Sequence, residues 1–246
     1  MSSEPRPATT AAGSIVRTLA DNTSPDSLAT RMRRKRFALF LSLLQSVDGP
    51  VEILDIGGTQ QFWNIMLGQE LPGMRVTLLN VAHQPVSSSA FVSAVGDARN
   101  LTRIRDSAYD VVFSNSVIEH VGTYADQRQM ADEVRRVGKR YFVQTPNRRF
   151  PIEPHFLFPF FQYLPVSARA WMLSRFDVGW YRRMPDRQAA RREVESIQLL
   201  TRNRFADLFP GATIYEEKLL GLTKSFVAHD GWSSPVSPPG DGKVVR

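Results

Sequence analysis

The stretch Val51-Glu52-Ile53-Leu54-Asp55-Ile56-Gly57-Gly58-Thr59 decides the fold that we predict for this chain. Its first six residues are mostly apolar and β-branched, which is typical of a short buried strand. Two adjacent glycines then end the strand, since glycine tolerates a sharp turn and lets a ligand approach bare backbone. Residues 60–67 repeat apolar side chains at helical spacing. A strand, a glycine turn and a helix N-terminus together predict a site for a nucleotide-like ligand.

The composition is that of one globular domain with polar ends. The chain has 246 residues, of which 42% are hydrophobic, enough for a sizeable core. No run reaches the roughly 18 apolar residues of a membrane span, and the polar start does not resemble a secretory signal. The absence of cysteine excludes disulfides and thiolate chemistry, so we expect a cytoplasmic protein. The net charge of +7 suits phosphate groups, anionic lipid or nucleic acid without choosing among them.

Strands and helices alternate along most of the chain. Strands are predicted at 75–80, 90–95, 109–114 and 140–145, and an amphipathic helix at 126–137. A missing G-x-G-x-x-G run argues against a nicotinamide or flavin site. The alternation predicts an α/β protein with a parallel sheet that is covered on both faces.

Residues 31–44 combine a basic start with an apolar stripe. The string Arg31-Met32-Arg33-Arg34-Lys35-Arg36 leads into apolar residues that recur at helical spacing: Phe37, Phe40, Leu41 and Leu44. One interpretation is a helix packed beside the sheet with solvated arginines. The other is a peripheral contact with a membrane surface or polyanion. Base rates favour packing.

Polar residues follow the strands in order. Asn80 closes 75–80, Asp97 follows 90–95 within Gly96-Asp97-Ala98, and Asn115 follows 109–114. Ligands of open α/β sheets lie outside the carboxyl ends of the strands. We therefore expect these side chains and the glycine turn at one edge of the sheet.

The ordered motifs between residues 51 and 121 resemble those of the class I S-adenosylmethionine-dependent methyltransferases, and of their small-molecule, type-11-like group in particular. Asp55-Ile56-Gly57-Gly58 resembles motif I, Gly96-Asp97-Ala98 resembles the adenine contact, and 109–121 resembles motif IV with its apolar-Glu-His ending. The resemblance implies a Rossmann-like, seven-stranded, mostly parallel sheet with helices on both faces and an antiparallel last strand. It implies S-adenosyl-L-methionine as cofactor, bound by Asp55, Gly57, Gly58, Asn80, Asp97, Ala98 and Asn115.

Two positions depart from the family pattern. Thr59 stands where the last glycine of motif I is usual, and Asn80 stands where an acidic residue normally accepts from the ribose hydroxyls. An amide can accept one hydrogen bond and donate another, but it lacks the assistance of a negative charge.

Proline and phenylalanine interrupt the alternation from residue 148 to 186. Such a segment cannot form a regular internal strand or helix. We interpret about 146–186 as an insertion that covers the acceptor and selects an apolar or lipid-linked substrate; the competing interpretation is a second small core or a dimer contact. The predicted organisation is a disordered arm at 1–27, a methyltransferase domain at 28–229 and a disordered tail at 230–246.

His120 and His155 are the candidate catalytic bases, with Glu119 and Glu153 as their partners. Histidine titrates near neutral pH, which suits removal of a proton from the acceptor. A packing role for Glu119 and His120 is an equal alternative. No metal site is predicted, because Ser116 replaces the first glutamate of the Glu-x-x-Glu-His cluster in the similar ubiquinone-pathway O-methyltransferases.

The resemblance predicts an enzyme that moves a methyl group to a small-molecule, lipid or glycan acceptor. The alternative is a non-catalytic, membrane- or nucleic-acid-associated protein that retains the fold. A nucleic-acid substrate is not expected, because strand four ends Ser114-Asn115-Ser116-Val117 in place of an Asn-Pro-Pro-Tyr-type motif.

Overall fold

The structure, a computed structural model, describes residues 27–68, 73–232 and 243–245. The predicted arm at 1–27 lies outside the described residues except for Ser27, and so does most of the predicted tail. The chain divides into two compact units. Among the described residues, the sheet unit holds 35–68, 73–150, 195–232 and 243–245, and the insertion unit holds 27–34 and 151–194. The segment predicted as a cover at about 146–186 thus belongs, from residue 151 onward, to a separate unit that extends beyond residue 186.

The secondary-structure elements follow in chain order. The helices are α1 (Leu28–Leu44), α2 (Gln60–Leu67), α3 (Tyr124–Val137), α4 (Val166–Arg175), α5 (Arg187–Ser196) and α6 (Arg202–Leu208). The strands are β1 (Val51–Ile56), β2 (Met74–Asn80), β3 (Phe91–Val95), β4 (Val111–Asn115), β5 (Tyr141–Pro146), β6 (Ile152–Glu153), β7 (Phe158–Pro159), β8 (Thr213–Leu219), β9 (Leu222–Asp230) and β10 (Lys243–Val245).

The sheet has the order β10-β8-β9-β5-β4-β1-β2-β3. Strands β1 to β5 pair in parallel, and β9 is antiparallel to both β5 and β8. The predicted Rossmann-like arrangement of seven strands with an antiparallel last strand is confirmed. One difference lies at the edge, where β10 pairs antiparallel with β8 although the sequence reading placed 243–245 in a disordered tail. The β-branched pair Val244-Val245 suits a strand, and the edge of β8 offers it backbone partners.

Successive residues of each strand point to opposite faces of the sheet and pack into two separate cores. Leu54 faces the side on which α3 and α6 pack, and Ile53 faces the side on which α1 and α2 pack. This alternation follows from the two-residue period of a strand. Helices therefore cover both faces of the sheet within the sheet unit, as predicted.

Helix α1 confirms the packing interpretation of the basic amphipathic segment. Its apolar stripe is buried, and Phe37, Phe40 and Leu43 lie in one core with Phe113 and Phe142 of the central strands. The rings of Phe40 and Phe113 are 4.8 Å apart between centroids. A membrane contact through 31–44 would therefore rest on exposed basic residues of the helix and not on its stripe.

The insertion unit has a small core of its own. Strands β6 and β7 form a short hairpin. Its turn residue Phe156 packs against Phe161, with ring centroids 4.2 Å apart, and stacks on Tyr181 at 4.9 Å. Phe156 and Phe161 are fully buried, as is Leu173 of α4. Part of the aromatic density noted in the sequence is thus structural.

The apolar residues from Ser196 to Phe209 recur at helical spacing and predict one helix, but this prediction is wrong in its boundaries. Ser196 ends α5, and the next helix begins after Thr201. The intervening Ile197 and Leu200 are buried, so apolar residues of an extended connection produced the helical spacing. No helix within the described residues is long and apolar enough to cross a membrane.

Candidate cofactor and active site

The glycine turn after β1 is a backbone cradle with no room for side chains. Gly57 has φ +75°, and a Cβ there would lie 2.4 Å from the side chain of Val117. Its N–H donates to the carbonyl of Leu79 at 2.8 Å, which ties the turn to β2. Thr59, the departure from motif I, caps α2 by accepting from the N–H of Phe62 at 3.2 Å.

The side chain of Asp55 packs against this turn and supports it. Its side chain is 1% exposed and accepts a hydrogen bond from Nε1 of the buried Trp63 at 2.7 Å. A Cβ at Gly58 would lie 1.7 Å from Asp55 Oδ2, so the carboxylate occupies the space beneath that glycine. Burial raises the pKa of Asp55 to about 7, although the Trp63 hydrogen bond lowers it. The structure brings Asp55 to the predicted site as a support for the glycine turn.

Asn80 closes the second side of the cradle. Its Nδ2 donates to the carbonyl of Gly58 at 2.9 Å, across 22 positions of the sequence. Because the amide group uses its donor end on the turn, its Oδ1 is the end that suits the hydroxyl of a ligand. The amide therefore performs a task that a carboxylate in its place could not, since a carboxylate cannot donate to a carbonyl.

Asp97 lies in the turn after β3 and is partly exposed. Arg99 holds it from the side: Nη2 of Arg99 lies 2.6 Å from Oδ2, and the N–H of Arg99 donates to Oδ1 at 2.9 Å. These hydrogen bonds keep the pKa of Asp97 below its usual value. Arg99 also reaches Asp126 at 3.1 Å, so the carboxylate is fixed in place and remains ionised. Ala98, the next residue, is buried.

Asn115 ends β4 and is held by a buried ion pair that the sequence did not reveal. Its Oδ1 accepts a short hydrogen bond from Nη1 of Arg36. Nη2 of Arg36 lies 3.0 Å from Oε2 of Glu217, which also accepts from Ser225 at 2.6 Å. Burial raises the pKa of Glu217, but the cationic Arg36 and Lys224 outweigh it and hold that pKa below its usual value.

A strained residue follows Asn115. Ser116 has φ +58°, which is uncommon for a residue other than glycine. The backbone N–H of Ser116 donates to the carbonyl of Gln144 at 3.1 Å, and its hydroxyl donates to Oε1 of Gln144 at 2.8 Å. Backbone strain of this kind clusters at ligand and catalytic sites.

Glu119 and His120 lie in a short 3₁₀ turn just beyond Ser116. Glu119 is fully buried and accepts from the hydroxyl of Thr145 on β5 at 3.0 Å. Its backbone carbonyl accepts from Gln198 at 2.8 Å. His120 is exposed. Glu119 thus ties the 3₁₀ turn to β5, and of the two only His120 presents its side chain to solvent.

His155 belongs to the insertion unit and sits in the hairpin turn beside Glu153. Its Nδ1 lies 2.6 Å from Glu153 Oε1. Glu153 is buried and also accepts from the backbone N–H groups of His155 and Phe156, at 2.9 and 2.6 Å. A carboxylate at Nδ1 requires the proton on that nitrogen, so the neutral ring carries its lone pair on Nε2. The predicted partnership of Glu153 and His155 is present.

The structure shows which neighbours the sequence analysis missed. Trp63 holds Asp55, and it was visible only as an apolar residue of α2. Arg36 holds Asn115 and Glu217. A signal for Arg36 existed, because it lies four residues from Met32 and from Phe40 on the buried stripe of α1.

The carboxyl ends of β1, β2, β3 and β4 carry all the predicted cofactor residues of the sheet unit. The glycine backbone is bare, Asn80 offers an acceptor and Asp97 offers a fixed anion. This set fits a nucleoside whose base has an amino group and whose sugar has free hydroxyls.

Comparison with known proteins finds one family whose model matches part of the sheet unit. Residues 54–141 match the family described as "Methyltransferase domain". The match covers the motifs from the end of β1 to the start of β5. Residues 54–141 are thus similar to that family, in agreement with the resemblance to class I S-adenosylmethionine-dependent methyltransferases that the motifs indicated. No curated protein matches the chain.

Several solved structures are similar to this chain at low sequence identity. A protein from Bordetella parapertussis, described as a possible exported protein, is 12% identical over 88% of this chain and 78% of its own, with a TM-score of 0.50. A protein from Anabaena variabilis, provisionally described as a methyltransferase of an antibiotic biosynthesis pathway, is 18% identical over 56% of this chain, with a TM-score of 0.40. The alignment spans 60% of that protein. A methyltransferase from Methanosarcina mazei is 15% identical over 76% of this chain and 95% of its own, with a TM-score of 0.46.

Proposed function

We propose that the protein transfers the methyl group of S-adenosylmethionine to a small-molecule, lipid or glycan acceptor. The observation that carries this proposal is the meeting of the glycine cradle, Asn80, Asp97 and Asn115 at the carboxyl ends of adjacent parallel strands. These residues belong to different motifs that are far apart in the sequence, and their meeting at one edge supports a single ligand.

The residues of the sheet unit fit distinct parts of the donor. Asp97 accepts from the amino group of adenine, the N–H of Ala98 reaches the ring, and Asn80 accepts from a ribose hydroxyl. The bare backbone of Gly57 and Gly58 lies against the methionine portion, and Asp55 keeps that backbone in position. The donor supplies an already activated methyl group on a sulfonium, so the protein has to bind, orient and exclude water.

Proton removal from the acceptor falls to a histidine. His120 is exposed beside the end of β4, and Glu119 fixes the turn that carries it. His155 has its tautomer set by Glu153, which leaves Nε2 as the basic atom. Both histidines stay candidates, and both require the neutral imidazole, so we expect turnover to fall as the pH drops through the pKa of the catalytic ring.

The acceptor can be identified by incubating extracts with the protein and isotope-labelled donor and analysing the products by mass spectrometry. A labelled product that depends on the intact protein supports an enzyme. Asp97→Ala is the matched negative control, because it removes a donor contact that lies on the partly exposed surface. Donor binding without any labelled product would favour a non-catalytic protein that keeps the fold.

The two histidines are separated by His120→Ala and His155→Ala, each tested with the identified acceptor. Loss of turnover with unchanged donor affinity marks the catalytic base. Glu153→Gln should lower turnover together with His155→Ala if His155 is the base, and should leave turnover per folded molecule unchanged if His120 is. The cytoplasmic location expected from the sequence stays a prediction.

A further inference from the structure

The loop between α4 and α5 presents large aromatic side chains to solvent. Phe176 is 55% exposed and Trp180 is 45% exposed, and Trp171 within α4 contacts Phe176 edge-on at 5.9 Å. Arg182 and Arg183 on the loop are exposed, as is Arg175, the last residue of α4. We call residues 175–183 together with Trp171 the aromatic-arginine loop. We propose that it is a peripheral membrane contact, which takes anionic phospholipid headgroups at its arginines and acyl-chain surface at its aromatic rings.

The loop is held in a fixed shape, so its exposure is a property of the fold. The N–H of Arg183 donates to Oδ1 of Asp177 at 2.8 Å. Val178 and Tyr181 exchange backbone hydrogen bonds, both at 3.0 Å. Gly179 has φ +57°, and a Cβ there would lie 2.3 Å from the backbone of Phe156, so only glycine allows this close approach. The rings are therefore presented by a rigid support.

The hairpin of β6 and β7 adds apolar surface next to this loop. Phe156 in the hairpin turn stacks on Tyr181 of the loop, which joins the two segments inside the insertion unit. Ile152 and Phe158 are both 40% exposed. Phe160 is 58% exposed and is held at φ +58°, a strained conformation for a bulky residue. Exposed apolar surface of this extent marks an interaction site on a soluble protein.

Charge decides which partner this surface suits. The exposed ionised residues of 151–194 are mostly arginines: Arg175, Arg182, Arg183, Arg187, Arg191 and Arg192. Only Asp177 and Asp186 are exposed acids there, and each accepts a hydrogen bond from the local backbone. The surface is therefore apolar and cationic together, which is the combination that binds the interface of an anionic bilayer.

A membrane suits the surface better than nucleic acid does. Single-stranded nucleic acid is bound by aromatic rings that stack on bases along a basic groove. Here the exposed set includes Ile152, which cannot stack, and Trp171 and Phe176 contact each other edge-on. Trp and Phe beside arginine are typical of proteins that sit at the headgroup level of a bilayer.

Co-sedimentation of the full chain with phospholipid vesicles tests the proposal. Vesicles of phosphatidylcholine alone are compared with vesicles that also contain phosphatidylglycerol, at low and at high salt. We expect binding to the anionic vesicles, weakened by salt. Arg182→Gln with Arg183→Gln should weaken binding by about 25-fold, since each basic residue near such a surface contributes about fivefold. Phe176→Ser with Trp180→Ser should weaken it by more than about tenfold, because buried apolar contact is lost.

Matched controls come from the sheet unit. Arg103→Gln with Arg105→Gln removes two exposed arginines, and Leu220→Ser with Leu222→Ser removes two exposed apolar residues. Both controls should bind vesicles within about twofold of the wild type, because they lie outside the proposed contact. Circular dichroism of every variant verifies that the fold is intact.

Any of three results would overturn the proposal. The wild type does not bind anionic vesicles at low salt, the loop variants bind these vesicles as tightly as the wild type, or the wild type binds single-stranded RNA and not vesicles. The membrane proposal does not depend on binding of the methyl donor. If the wild-type protein bound anionic vesicles but not S-adenosylmethionine, the proposed function would be refuted and the membrane proposal would remain supported.

Discussion

Two turns at the same edge of the sheet hold their carboxylates in opposite ways. Asp55, before the turn after β1, is buried, and burial raises its pKa to about 7. Asp97, in the turn after β3, is partly exposed, and hydrogen bonds from Arg99 keep its pKa below the usual value. The comparison separates a buried carboxylate that supports the backbone of a turn from an exposed one that stays ionised, although both belong to motifs that the sequence indicated.

The largest expected effect is on the pH dependence of stability. The pKa of Asp55 is raised in the folded protein, so its stabilising contribution is complete below the unfolded pKa and is lost as the pH rises through about 7. The free energy of unfolding should therefore fall by up to about 4 kcal/mol between pH 4 and pH 8 through this group. Asp55→Asn should remove that part of the fall. Urea titrations at several pH values measure it, and an unchanged slope in the variant would contradict the burial account.

Asp97→Asn is the matched control for that experiment. Because the pKa of Asp97 is lowered in the folded protein, its contribution is present above the unfolded pKa and lost on acidification. The variant should therefore be less stable than the wild type above the unfolded pKa and should equal it in strong acid, so that the fall of stability on acidification becomes smaller. The two carboxylates are thus expected to change the pH profile with opposite signs.

Gly58→Ala should have the next largest effect. The new Cβ would lie 1.7 Å from Asp55 Oδ2 and must displace a buried carboxylate from Trp63. We expect a loss of about 3 kcal/mol in the free energy of unfolding, measured by urea denaturation. Gly96→Ala in the other turn meets only the side-chain end of Leu79, at 3.0 Å, and should lose less than about 1 kcal/mol. Equal losses of stability in Gly58→Ala and Gly96→Ala would show that Asp55 does not specifically support the turn after β1.

Asp97→Ala tests whether the exposed carboxylate of Asp97 binds the methyl donor. Removal of a charged hydrogen-bond acceptor should weaken donor binding by about tenfold to a hundredfold, since such bonds contribute about 1.5–3 kcal/mol. Equilibrium dialysis with labelled S-adenosylmethionine measures the change. Undiminished affinity would exclude Asp97 from the donor site.

Arg99→Ala should have the smallest effect. It removes the partner of Asp97 but keeps the carboxylate, and exposed ion pairs contribute little because solvent screens them. Donor affinity should stay within about threefold of the wild type in the same dialysis assay. If Arg99→Ala weakened binding as much as Asp97→Ala, the ion pair itself, and not the acceptor atoms of Asp97, would be what the donor requires.

The parts of the fold that local pattern controls were predictable. The alternation in Val51–Ile56 and the glycines after it predicted the first strand, the turn and the edge where the site lies. The carboxyl-end rule then predicted that Asn80, Asp97 and Asn115 would share that edge. These inferences need only the period of a strand and the parallel order of the sheet.

Contacts between distant residues were not predictable. Arg36 stands in a run of basic residues that suggests solvation, and it meets Glu217 across 181 positions. Asp55 looked like a direct ligand of the donor, and only the position of Trp63 shows that it is enclosed. The connection between α5 and α6 was mistaken for a helix because buried residues of an extended segment happened to fall at helical spacing.

Calorimetric titration of the wild-type protein with S-adenosylmethionine tests the central claim most directly, with adenosine triphosphate as a control nucleotide. We predict saturable binding of one donor per chain and no comparable binding of the triphosphate, because Arg36 and Arg99, which lie at this edge of the sheet, are already paired with carboxylates. Absence of donor binding by protein that is folded by circular dichroism would contradict the assignment of this edge as a methyl-donor site.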